Sequence, residues 1–110
     1  MEFKINNKDW KIIEVNEKDI IEKLQSYEDE EKIIMANGLT DFQQQLILLN
    51  EDLHIQTKRT TLLHELMHCY IRSYFAFEML NKIPEELLCD ISANSHDIIH
   101  EIVERYFRGK

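Results

Sequence analysis

A chain of 110 residues, 44% hydrophobic and 31% charged, has apolar surface for one compact core and not for two. Its 21 acidic against 13 basic residues, net charge -8, provide no cluster of Lys and Arg to neutralise phosphates, so direct nucleic-acid binding is not expected. Two cysteines are too few for a disulfide-stapled secreted fold, and neither a signal-peptide pattern nor a membrane-length apolar run is present, so the expected setting is cytoplasmic and off the membrane.

Residues 2–15 alternate apolar and polar positions, Phe3 and Ile5 and then Trp10 and Ile12, around Asn6-Asn7-Lys8-Asp9. Alternation about a pair of asparagines, which tolerate positive φ, predicts a β-hairpin. Over residues 17–27, Ile20, Ile21 and Leu24 fall at helical spacing and predict a short amphipathic helix. The acidic run Glu28-Asp29-Glu30-Glu31 reads as a solvated loop. Residues 32–36 read as a third strand, and Asn37-Gly38 as a turn. The apolar run over residues 43–49 predicts a strand just ahead of the next helix.

Residues 58–77 place Leu63, Leu66, Met67, Tyr70 and Tyr74 at spacings of three and four, the core face of a long helix. Thr60 or Thr61 would cap its start, with Thr57 competing, and His54 reads as a surface residue. Pro84 opens the last helix, where its missing N–H costs nothing, and Glu85 and Glu86 suit the positive end of the helix dipole. Leu87, Leu88, Ile91, Ile98, Ile102 and Tyr106 are its expected buried stripe, to about residue 107. The whole reads as a small α+β fold, one domain over residues 1–110, with N-terminal strands packed on two long helices.

His64-Glu65-Leu66-Met67-His68 is an H-E-x-x-H motif. Residues four apart on a helix face the same way, so both imidazoles can reach one metal ion, and Glu65 lies close enough to take a proton from a water held there. Zinc lowers the pKa of such a water from about 15.7 to about 7. A catalytic site needs a third protein ligand and an open fourth position. His96-Asp97-Ile98-Ile99-His100 repeats the four-residue spacing, but its aspartate is shorter and suits a general base less well. That pair reads as exposed or hydrogen-bonded helix residues.

On the last helix Glu86, Cys89, Asp90, Ala93 and Asp97 share a side, so Glu86, Cys89 or Asp90 could supply the third ligand. Glu86 stands about ten rises, some 15 Å, from His96, so one ion cannot join Glu86 to the second pair. Residue types alone leave the three open.

"LLHELMHCYI" followed by "PEELLCDISANSHDII" resembles the ImmA/IrrE-type zinc metallopeptidases, in particular the short versions encoded by phages and prophages of bacteria. In that family a helix after the H-E-x-x-H helix carries a zinc-binding glutamate four residues before an Asn or Asp. Here Glu86 stands four before Asp90. The resemblance covers residues 37–99 and implies a minimal zincin-like fold with Zn2+ held by His64, His68 and Glu86. It implies Glu65 as catalytic base acting on a zinc-bound water, and Asp90 as a residue that orients a ligand. The expected activity is hydrolysis of a peptide bond in a protein or extended peptide, with the strand before the helix, if it lies at the sheet edge, binding the substrate by strand addition. The alternative is a non-catalytic phage or prophage protein that binds and modulates a host protein, in which zinc holds two helices together.

Overall fold

The computed structural model describes residues 1–27, 37–74 and 85–109, and of residues 25–27 and 85–90 the backbone alone. In chain order the elements are β1 (Glu2–Ile5), β2 (Lys8–Val15), α1 (Glu17–Tyr27), β3 (Gly38–Asp41), β4 (Leu46–Asn50), α2 (Ile55–Tyr74) and α3 (Glu85–Arg108). The strands form one mixed sheet in the order β1-β2-β4-β3. The outer pairs are antiparallel, and β2 runs parallel to β4.

The hairpin forms as alternation predicts. Asn6 and Asn7 have φ of 51° and 62°, the two positive values that a tight two-residue turn needs to match strand twist. A parallel partner for β2 cannot be reached by a hairpin and requires a crossover; α1 and β3 lie in that connection. Side chains alternate across the sheet, so Ile12, Ile47 and Leu49 share one face and join Leu62, Leu66, Cys69, Ile99 and Val103 of α2 and α3 in one core. Leu48 and Asp41 are directed to the opposite face. There Ile20 of α1 is fully buried, and Lys23 pairs with Asp41 at 3.1 Å. The result is a small α+β fold in three layers: α1, the sheet, and α2 with α3.

A polar network pins the two long helices to β2. Lys58 of α2 donates to Glu14 Oε1 at 2.7 Å and to Glu51 O at 3.2 Å, and the Tyr106 hydroxyl of α3 donates to Glu14 Oε2. Burial of a charged pair is tolerated here because each carboxylate oxygen has a donor. Arg59 pairs with Glu104 across the same two helices.

Several sequence expectations shift. Residues 32–36, expected as a strand, lie outside the described residues. The strand instead begins where Asn37-Gly38 reads as a turn, because Asn37 O accepts from Asn50 N at 2.9 Å and continues the ladder of β3 with β4. Residues 43–45 are turn rather than strand: the Asp41 carboxylate accepts from the N–H groups of Gln43 and Gln44, and Gln45 takes φ 54°. β4, the strand just before the helix, is interior, and the edge belongs to β3. The helix starts at Ile55, with His54 rather than a threonine as cap: His54 Nδ1 accepts from Gln56 N at 3.3 Å. Thr60 bonds Gln56 O within the helix. The expected stripe of α2 is rotated, whereas in α3 Ile91, Ile102 and Tyr106 are buried as expected and the side chains of Leu87 and Leu88 lie outside the described residues. Leu63 and Tyr74 are 40% and 45% exposed, since the sheet takes the arc of α2 centred on Leu62, Leu66 and Cys69, and Ile98 of α3 is 37% exposed. Among the described residues no helix is long and apolar enough to cross a membrane.

Burial and the Glu14 carboxylate both push the Tyr106 phenol above its ordinary value. A raised folded-state pKa favours the fold while the phenol is protonated, so this contribution is full below about pH 10 and is lost as pH rises further. Tyr106→Phe should therefore lose about 1.5–3 kcal/mol in urea denaturation at pH 7, and should flatten the fall in stability expected above pH ~10 in the parent protein.

Candidate metal centre

The seat of α2 on the sheet determines where its polar residues point. Leu62, Leu66 and Cys69 are fully buried, while His64 and His68 stand on the exposed flank. Their Nε2 atoms are 3.1 Å apart, with ring planes at 82°. A tetrahedral zinc ion with Zn–N bonds of about 2.0–2.1 Å holds two imidazole nitrogens about 3.3 Å apart. The pair therefore needs to open by only about 0.2 Å to fit. Partial burial pushes His68 below the ordinary imidazole value, with Glu65 opposing and His64 and Arg72 adding to the shift. A neutral imidazole keeps the lone pair that a metal requires.

Glu65 sits at the boundary between core and cleft, 8% exposed. The Thr40 hydroxyl of β3 donates to its Oε1 at 2.8 Å. Glu65 and His64 line a shallow cleft of about 290 Å³ together with Asn37, Gly38, Thr60 and Thr61. Gly38 keeps the strand close to the helix: a Cβ there would lie 2.8 Å from Thr61 Cγ2, 3.1 Å from Leu48 O and 3.4 Å from Glu65 Cγ. Because Asn37 and Asn50 form a bonded pair, and bonded and non-bonded pairs alternate in an antiparallel ladder, the backbone N–H and C=O of Gly38 and Thr40 face away from β4. Among the described residues no strand pairs with that outer edge.

Glu86 lies in the first turn of α3, and its side chain, like those of Cys89 and Asp90, lies outside the described residues. It precedes Ser95 by nine positions, and Ser95 is the residue that meets Met67 of α2. At 1.5 Å per residue that is about 13 Å along α3. Among the described residues no three His, Cys, Asp or Glu converge on one point. His96 and His100 are exposed on α3 with parallel rings 5.6 Å apart. They flank a groove between α2 and α3 lined by Leu63, Met67, Ser95 and Ile99. Sequence reasoning missed Thr40, since one threonine in a four-residue strand carries no pattern.

Gly38→Ala should lower stability by about 1–3 kcal/mol in chemical denaturation, because the added methyl meets a short branched side chain and a backbone oxygen. Burial, reinforced by Glu65, pushes the Cys69 thiol far up, so it stays protonated and unreactive. Mass spectrometry after iodoacetamide treatment at pH 8 should find Cys69 unmodified in the native protein and alkylated after unfolding.

No protein-family model, curated protein or solved structure matches the chain.

Proposed function

We propose that this chain is a cytoplasmic zinc metallopeptidase of the ImmA/IrrE type, of the short kind carried by phages and prophages, that hydrolyses a peptide bond in a protein or extended peptide. The observation that carries the reading is the convergence of His64 and His68 Nε2 at 3.1 Å, beside a glutamate that lines a cleft under an edge strand. His64 and His68 would hold zinc, with Glu86 as third ligand. Given the distance along α3, Glu86 joins them only if the first turns of that helix lean across α2. Bound zinc supplies a water of lowered pKa and polarises the carbonyl oxygen.

The chain's own groups do the rest. An extended substrate lies along the outer edge of β3, exchanging hydrogen bonds with the backbone of Gly38 and Thr40, the register of strand addition. Glu65 takes a proton from the attacking water as the new C–O bond forms, and gives it to the amine nitrogen as the C–N bond breaks. Water is thereby added across the peptide bond, and Glu65 returns to its starting state. In the proposed arrangement β3 and α2 form the two walls of the cleft.

Protein purified without a histidine tag should contain one zinc per chain by mass spectrometry of the metal. His64→Ala, His68→Ala and Glu86→Gln should lose it, whereas Cys89→Ser and Asp90→Asn should retain it. Glu65→Gln should retain zinc and lose about 10²–10⁴-fold in hydrolysis of a fluorogenic peptide library. Absence of stoichiometric zinc would falsify the metal site. Retained zinc with hydrolysis undiminished in Glu65→Gln would remove the enzyme reading and favour the alternative, a zinc clamp in a protein that modulates a host partner.

A further inference from the structure

The geometry points to Thr40 as a positioning residue that aims Glu65 for proton transfer, an inference that rests on the peptidase reading above. Thr40 and Glu65 are both buried, each 8% exposed. The Thr40 hydroxyl lies 2.8 Å from Glu65 Oε1 and 3.3 Å from Glu65 O. A hydroxyl has one proton, and the shorter contact to a carboxylate oxygen is the stronger, charge-assisted use of it. Holding Oε1 from the strand side leaves Oε2 as the oxygen to receive a proton from the cleft.

The donor is itself held. Threonine is branched at Cβ and stiff about χ1, so the strand backbone sets the direction of the hydroxyl. Gly38 lies two residues away on the same face of β3, and its missing side chain keeps that wall open beside Glu65 Cγ and Thr61 Cγ2. The two residues thus divide the work of one short strand: Gly38 leaves room for the glutamate and Thr40 fixes its angle. A free glutamate samples several rotamers, and restricting it before the reaction is how a supporting hydrogen bond raises turnover without adding substrate affinity. A threonine that only satisfied a buried acid would affect stability and leave turnover per folded, zinc-loaded molecule unchanged.

Three forms of the zinc-loaded protein decide the matter: the parent, Thr40→Val, which keeps the branch and removes the hydroxyl, and Thr40→Ser, which keeps the hydroxyl. Zinc affinity by chelator competition should be equal in all three. With the fluorogenic peptide library, Thr40→Val should lower kcat about 10–100-fold with KM within about two-fold, and Thr40→Ser should restore most of the loss. Independently of activity, proton NMR of the parent should show a slowly exchanging Thr40 hydroxyl with a cross-peak to Glu65 Hγ. Unchanged kcat in Thr40→Val while Glu65→Gln is inactive overturns the role of Thr40 and leaves the peptidase reading standing. A zinc-loaded parent that hydrolyses nothing ends the peptidase reading and this role with it. Should Thr40→Val fail to fold, a failure of Thr40→Ser to retain kcat, or a hydroxyl in rapid exchange with water, overturns the inference.

Discussion

Leu62, Leu66 and Cys69 are fully buried in the core they share with Ile47 and Leu49 of the sheet, and this packing determines how α2 is rotated about its own axis. Burial of an aliphatic side chain contributes about 1.5–3 kcal/mol, so turning the helix to bury another face would forfeit several such terms. With the rotation set, His68 falls about 130° and His64 about 165° around the helix from the centre of Leu62, Leu66 and Cys69. Both stand clear of the core, and His64 lines the cleft. Glu65 lies between the two regions and can have its carbon chain packed and its carboxylate at the cleft wall. The rest of the site follows from the seat of this one helix.

The sheet makes that seat specific. β4 supplies the apolar floor, and β3 supplies Gly38 and Thr40 at the rim. Glu14 ties β2 to Lys58 and Tyr106, so the same strand face that packs the core also fixes the angle of α2 and α3 through hydrogen bonds. Hydrophobic burial is non-directional; the Glu14 bonds supply the direction.

Much of this was legible in the residues, and the misses have physical causes. The hairpin was readable because alternation and two asparagines agree, and α3 because a proline and two glutamates precede a long apolar period. Pairing of β2 with β4 in parallel was not readable, since periodicity says which face of a strand is buried and nothing about its neighbour. Asn37-Gly38 misled because a turn signal and a strand start use the same residues when the glycine is needed for close approach to a helix. Gln45 at positive φ gave no warning, because glutamine is not a usual residue for that region. His54 was missed as a cap because threonines crowd the sequence just after it. Leu63, Tyr74 and Ile98 fall on apolar periods of helices whose apolar positions cover more than one face, and only tertiary packing selects among those faces. The H-E-x-x-H spacing was visible at once, whereas the hydrogen bond from Thr40 joins residues 25 apart and leaves no local trace.

In the proposed zinc site His64 and His68 supply two ligands and Glu86 an oxygen as the third. X-ray absorption at the zinc edge of the zinc-loaded protein tests it most directly. Two imidazoles and oxygen donors at about 2.0–2.2 Å, with no sulfur at about 2.3 Å, is the expected shell. A sulfur in the shell, fewer than two imidazoles, or no bound zinc would contradict it.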